Sequence, residues 1–132
     1  MSPAHILPLP HDLESGAAAR RFIRKFAAEH DLDAAAADEC LIGSELVANA
    51  FSHGGPPMEL ALQYEDDEVT IEVADGDPRI DQVRMRAVDK PHPGGRGLRI
   101  VASLAKRWGA RPFRSGKKVW ATTDATRAKP SI

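Results

Sequence analysis

The sequence has little cysteine, no long apolar run and no excess of charge of either sign. Its single cysteine, Cys40, excludes an internal disulfide and a multi-cysteine zinc site, which favours a reducing compartment. No stretch approaches the ~20 apolar residues that span a bilayer, and the N-terminus lacks a basic region followed by an apolar one. A net charge of −1 argues against a nucleic-acid binder with a strong basic field. These absences predict a soluble cytoplasmic domain that binds neither membrane nor nucleic acid directly.

The 132 residues suit a single domain covering 1–132, and the spacing of apolar residues predicts its elements. We expect a lead-in over 1–14 that contains a first strand, a lid over 77–94, where prolines interrupt any periodicity, and a flexible tail over 124–132. The predicted helices begin at Ser15, at Asp33 and at the glycines before Leu98, and the predicted strands cover 5–9, 58–64, 69–75, 108–113 and 117–123. Ser15 and Asp33 are the predicted helix caps.

A carboxylate and a carboxamide, Glu45 and Asn49, stand four residues apart in the apolar stretch CLIGSELVANAF. On a helix this spacing places both on nearly the same face, about 40° apart. The asparagine offers a neutral oxygen of the kind that Mg²⁺ accepts, and the glutamate could orient or deprotonate a nearby water or hydroxyl. Taken alone, the pair is more typical of an ordinary polar helix surface.

A second carboxylate, Asp75, lies two residues after Val73 in its predicted strand, so its side chain is expected on the same, inward-facing side of the sheet. A carboxylate there could accept a hydrogen bond from an exocyclic amine, which favours adenine over guanine because guanine carries a carbonyl at that position. The alternative is a turn residue that leads into Gly76-Asp77-Pro78.

A glycine cluster, Gly94-Gly95-Arg96-Gly97-Leu98, opens the third predicted helix. Glycines let a backbone approach a ligand closely, and the free amides at a helix start attract phosphate. A simple turn is the alternative. The cluster fits neither the dinucleotide-binding fingerprint nor a P-loop, because it lacks the preceding strand of the first and the Gly-Lys-Ser or Gly-Lys-Thr of the second.

In their order along the chain, ELVANAFSHG, EVADGDP, GGRGLRIVASLAKRWG and GKKVW resemble the GHKL ATPase superfamily. The chain resembles most closely the histidine-kinase-like ATPase domains of bacterial anti-sigma factors, the serine kinases of the RsbW and SpoIIAB type. The resemblance covers Ser15 to Thr123. It implies an α/β (α+β) two-layer sandwich, the Bergerat fold, in which helices cover one face of a mixed, mostly antiparallel sheet.

The resemblance implies ATP and Mg²⁺ as cofactors. Asn49 matches the Mg²⁺ ligand, Glu45 the general base and Asp75 the aspartate that binds the adenine amine. The remaining nucleotide contacts that it implies are Asp77, Gly94, Gly95, Arg96, Gly97 and Leu98. Arg96 is open to two roles, a contact to phosphate or a solvent-facing position in the loop.

Two positions depart from the family pattern. Asp77 stands where the first box of relatives has a glycine, which could stiffen the loop and weaken nucleotide binding. Lys118 stands where many relatives have a threonine, and the resemblance implies that a hydroxyl which helps to bind adenine is missing there. We interpret Lys117 and Lys118 as surface lysines, with a phosphate contact as the alternative.

The resemblance implies a serine/threonine kinase that phosphorylates an anti-anti-sigma protein of the STAS fold and also sequesters a sigma factor, as a monomer or a homodimer. The alternative is a regulatory module that binds ATP, or binds its partners without it, and transfers no phosphate. A detached catalytic domain of a two-component histidine kinase is a third reading. We favour it less, because no dimerisation helix with a phosphoacceptor histidine precedes the domain.

Overall fold

The computed structural model describes residues 3–33, 36–81, 83 and 96–125, with 96 and 97 described by their backbone alone. The elements in chain order are β1 (His5–Leu9), α1 (Ser15–Glu29), α2 (Ala37–Asn49), a π-helical turn (Ala50–Gly54), β2 (Met58–Glu65), β3 (Glu68–Asp75), α3 (Arg96–Leu104), β4 (Arg107–Phe113) and β5 (Gly116–Asp124). The predicted order of strands and helices is confirmed. No helix among these residues has the length and apolar character needed to cross a membrane.

The five strands form one sheet in the order β1-β2-β3-β5-β4. Each strand pairs antiparallel with its neighbours, so the sheet that we expected to be mixed is antiparallel throughout its described strands. The three helices α1, α2 and α3 complete the α+β sandwich, which confirms the predicted fold class. The β2–β3 hairpin turns at Asp66 and Asp67, which both have positive φ.

One face of the sheet carries the core. Buried aliphatic side chains alternate along the three central strands, at Leu60, Leu62, Val69, Ile71, Val73, Val119 and Ala121. Helix α2 packs on β3 and β5 as well as on α1 and α3, so it lies at the centre of the helical layer. Asp75 and Lys117 continue the inward-facing rows of β3 and β5 to the end of the sheet.

The first two helices are not capped as predicted. Ser15 is the first residue of α1, and its hydroxyl donates to the carbonyl of Asp12 instead of capping the helix. Helix α2 begins at Ala37, because the backbone of Ala36 adopts a left-handed conformation (φ 42°) and its amide donates to the Asp33 carbonyl. The predicted cap at Ser15 is therefore wrong by one residue, and the predicted cap at Asp33 is wrong by several. The backbone conformation of Ala36 sets the start of α2.

Several predictions fall outside the described residues. Of the expected lid over 77–94, residues 77–81 and 83 are described, while Gly94 and Gly95 are not. The expected tail is described only as far as Ala125. The division of the chain into lead-in, lid and tail stays a prediction.

Candidate functional site

Glu45 and Asn49 lie in the last two turns of α2. Asn49 is the last residue of the helix and is buried, with 6% of its surface exposed, whereas Glu45 is half-buried one turn earlier. The Glu45 carboxylate makes no hydrogen bond or ion pair with other residues in the described part of the chain. A carboxylate in this state is available to accept a proton or a hydrogen bond from a ligand.

The π-helical turn connects Asn49 to the end of β3. Its backbone closes through a hydrogen bond from the Gly55 amide to the Ala50 carbonyl (2.9 Å), and the Gly76 amide donates to the Gly55 carbonyl (3.0 Å). A Cβ at Gly54 would lie 2.3 Å from both Cγ and Oδ2 of Asp75, so only glycine lets the turn approach this carboxylate. The turn thus begins directly after Asn49 and ends, at Gly54, against Asp75.

The Asp75 carboxylate is buried, and its two oxygens have different surroundings. Oδ1 accepts hydrogen bonds from the backbone amide of Asp77 and from Nζ of Lys117, both at 2.9 Å. Oδ2 is buried and has no hydrogen-bond partner among the described residues. A buried acceptor without a donor is costly, so it marks a position where a ligand's N–H group would be stabilised.

The two lysines that we interpreted as surface residues are buried, and that interpretation is wrong. Lys117 is 1% and Lys118 is 9% exposed. The register pairs Lys117 with Asp75 and Lys118 with Ala74, so the two lysines lie on opposite faces of the sheet. A hydroxyl at position 118 would lie on the face away from Asp75, and its absence therefore takes nothing from Asp75.

Lys117 is a residue beside the candidate site whose position the sequence interpretation gave wrongly. The alternation of inward-facing residues was a signal for its position. Lys117 lies on the same side of β5 as Val119 and Ala121, just as Asp75 lies on the same side of β3 as Val73. The alternation that singled out Asp75 also predicts an inward-facing Lys117.

Asp77, the other departure from the family pattern, is held by Arg79. The Arg79 guanidinium and its backbone amide both donate to the Asp77 carboxylate, and these hydrogen bonds hold the pKa of that carboxyl well below its usual range. Asp77 is not one of the described residues with positive φ, so its backbone does not require the glycine of the family pattern. The Asp77 side chain orders the start of the loop.

The predicted phosphate-binding helix begins at Arg96. The first amides of a helix have no acceptor within the helix, so those of residues 96–98 could donate to an anion. The Leu98 side chain is fully buried in the core, so Leu98 could contact a ligand only through its backbone. Helix α3 packs against α2, which carries Glu45 and Asn49.

The donor set fits a purine nucleotide with Mg²⁺. Asp75 Oδ2 offers an acceptor for a base, and the start of α3 offers amides for phosphates. The described residues contain no group of three His, Cys, Asp or Glu side chains that could hold a metal alone. Asn49 would thus be one ligand of a Mg²⁺ ion that otherwise binds water and phosphate oxygens, as this ion commonly does.

Two hollows lie near these groups. A depression of about 450 Å³ borders Pro78, Arg79, Ile80 and Asp81, directly after Asp77, and its volume is within the range of small-molecule sites. A smaller cavity of about 160 Å³ adjoins Asp75 and Gly76 at the end of the sheet. The larger hollow borders the residues that follow the strand end carrying Asp75, and Asp75 itself is not among the described residues that line it.

The sequence model of the histidine kinase-like ATPase domain family matches residues 9–123. No curated protein matches the chain in sequence. The matched region contains both helical site residues, the strand end at Asp75 and the whole of α3.

Proposed function

Since the chain belongs to the histidine kinase-like ATPase domain family, which indicates an ATP-binding regulatory function, we propose that it is a protein serine kinase of the anti-sigma-factor type. In this proposal it binds ATP with Mg²⁺ and transfers the γ-phosphoryl group to a serine of a small STAS-fold anti-anti-sigma protein. It also binds a sigma factor. The partners rest on the resemblance of the sequence motifs to that group of kinases.

The observation that carries the nucleotide part of the proposal is the asymmetry of the Asp75 carboxylate. One of its oxygens takes two donors and the other has none among the described residues. An exocyclic amine of adenine supplies the missing donor, whereas guanine would present a carbonyl oxygen and leave two acceptors facing each other. The site would therefore prefer ATP to GTP.

Asn49 and Glu45 supply the groups that phosphoryl transfer requires. Asn49 would hold the Mg²⁺ ion, which when bound neutralises charge on the nucleotide's phosphates. Glu45 would accept the proton of the partner's serine hydroxyl as the serine oxygen bonds to the γ-phosphorus and the bond to the bridging oxygen of ADP breaks. The half-buried Glu45 carboxylate has no competing partner among the described residues.

The test separates binding from transfer. Titration of the chain with a fluorescent ATP analogue and Mg²⁺ is expected to give saturable binding, and radiolabelled phosphate is expected to pass from ATP to a STAS partner encoded nearby. Glu45→Gln should bind the analogue with little change and transfer no label. Saturable binding without transfer by the unaltered chain would contradict the kinase proposal, and no binding at millimolar concentration would contradict ATP binding itself.

One observation favours a second candidate function, a regulatory module that transfers no phosphate. The Asp75 side chain has no exposed surface and is paired with a lysine that is itself buried. A carboxylate enclosed in this way could instead serve as a structural ion pair beneath a surface that binds protein partners. If the chain bound its sigma factor equally well with and without ATP, this second function would replace the first.

A further inference from the structure

Lys117 and Asp75 form a buried ion pair across neighbouring strands. The two residues are directly opposite in the register of β3 and β5, and their side chains are 2% and 0% exposed. Nζ of Lys117 lies 2.9 Å from Oδ1 of Asp75 and 3.0 Å from the carbonyl oxygen of Asp77. Lys117 thereby connects the carboxylate to the backbone of the loop that follows it.

Stability alone is a weak reason for such a pair. Removing two charges from water costs free energy that their attraction repays only with good geometry, and apolar residues of similar volume are often no less stabilising at such sites. Apart from Thr123 in β5, the inward-facing rows of both strands are apolar, with Val73 and Val119 next to the pair. A function for the charged pair is therefore worth seeking in its geometry.

The hydrogen bonds of Asp75 determine which of its two carboxylate oxygens can accept a further hydrogen bond. Lys117 and the Asp77 amide both donate to Oδ1, so a rotation that exchanged the two oxygens would break both hydrogen bonds. Oδ2 is left as an acceptor with a set direction and no partner among the described residues. Lys117 also places a positive charge beside the carboxylate, and hydrogen bonds that involve charged groups are stronger than neutral ones.

We infer that Lys117 is a positioning residue for base recognition: it orients Asp75 so that Oδ2 accepts a hydrogen bond from the exocyclic amine of a purine. This inference rests on the proposed nucleotide-binding function and assigns its base selectivity to a pair of residues. Lys117 does not contact the base in this account. Without Lys117 the carboxylate loses its orientation and its counter-charge, and the selectivity falls.

The experiment compares two neighbouring lysines. Lys117→Met keeps an unbranched side chain of nearly the same length and removes its charge and donors. Lys118→Met makes the same change on the opposite face, where Nζ lies 4.0 Å from the Phe113 ring centroid and 3.7 Å from Glu72. For the unaltered chain and both variants, competition titrations with Mg²⁺ give the affinities for ATP and for purine riboside triphosphate, which lacks only the exocyclic amine.

The measured quantity is the ratio of these two affinities, because a general loss of structure lowers both affinities together and leaves the ratio unchanged. The unaltered chain is expected to prefer ATP by about tenfold or more, as a hydrogen bond to a charged group allows. Lys117→Met should lose most of that preference, and Lys118→Met should keep it. An unchanged ratio in Lys117→Met would overturn the inference.

Two controls keep the outcomes distinct. If Lys117→Met does not fold by circular dichroism, Lys117→Gln replaces it, since its amide can still donate to a carboxylate but carries no charge, and a several-fold loss of the ratio is expected. An unchanged ratio in Lys117→Gln would then overturn the inference. If the unaltered chain binds ATP and purine riboside triphosphate equally, the inference fails while nucleotide binding stands, whereas no binding of either overturns both.

Discussion

Replacing Gly54 by alanine should disturb the site at its most crowded contact. Gly54 ends the π-helical turn and lies against the Asp75 carboxylate, so that an added methyl group would lie 2.3 Å from Cγ and Oδ2 and 2.8 Å from Cβ. An ordinary contact begins at 3.4 Å, so one of the two residues must move by about 1.1 Å, which is 3.4 minus 2.3. The buried carboxylate cannot turn away freely, because Lys117 and the Asp77 amide hold Oδ1.

The size of the effect follows from the bonds that such a movement breaks. A shift of about 1 Å takes the hydrogen bonds of Oδ1 beyond the distance at which they are effective, and losing one to a charged group costs about 1.5–3 kcal/mol. Alanine restricts the unfolded chain more than glycine does, which offsets about 0.5–1 kcal/mol. The net loss of unfolding free energy is about 1–2 kcal/mol, equivalent to roughly 4–8 °C in Tm for a domain of this size.

Urea unfolding of the variant, followed by circular dichroism, measures this loss, and ATP titration measures the effect on the site. Gly55→Ala is the matched control, because a Cβ there meets no atom within 4 Å, while its φ of +81° strains any other residue. We expect Gly55→Ala to lose about 1 kcal/mol and to keep its preference for ATP over GTP, which Gly54→Ala should lose. Wild-type stability in Gly54→Ala would refute the reasoning, since the carboxylate would then be free to move.

Three further predictions concern other parts of the chain. Asn49→Ala should fold and lose the part of its ATP affinity that depends on Mg²⁺, so its titration curves with and without EDTA should coincide; a difference as large as in the unaltered chain would remove Asn49 from the site. Hydrogen bonds from Lys106 and Arg107 lower the pKa of Glu68, so the folded state binds this proton less readily than the unfolded state, and the resulting stability, present above about pH 5, is lost as the pH falls towards 3. Glu68→Gln should therefore show a smaller fall of Tm from pH 6 to pH 3.5, and parallel curves would contradict the assignment. Burial raises the pKa of the Cys40 thiol, so iodoacetamide should alkylate it at pH 8 far more slowly in the folded chain than in urea.

Much of the fold follows from hydrophobic spacing alone. The alternation in β2 and β3 predicts both strands to within one residue at each end, because the apolar face of a sheet repeats every second residue. The start of α2 could not be predicted in this way. It depends on the left-handed backbone of Ala36, a residue whose side chain gives no signal for that conformation.

The candidate site was only partly predictable. The burial of Asp75 followed from its place in the alternation of inward-facing residues along β3. Its partner Lys117 was misinterpreted because lysine is so commonly exposed. The π-helical turn after Asn49 carries no periodic signal, so the close approach of Gly54 to Asp75 became visible only in three dimensions. We interpreted Lys117 from its residue type, although its position in the alternation along β5 was the better guide to its burial.

The central claim is that Asp75 reads the exocyclic amine of a purine nucleotide, and Asp75→Asn tests it most directly. If Lys117 and the Asp77 amide keep the asparagine oxygen at the Oδ1 position, its NH₂ group replaces Oδ2, so that a donor stands where an acceptor stood. Displacement of a fluorescent ATP analogue by ATP and by GTP gives the ratio of affinities in both proteins. We predict that the unaltered chain prefers ATP and that Asp75→Asn loses or inverts this preference. An equal preference for ATP in the two proteins would contradict the account.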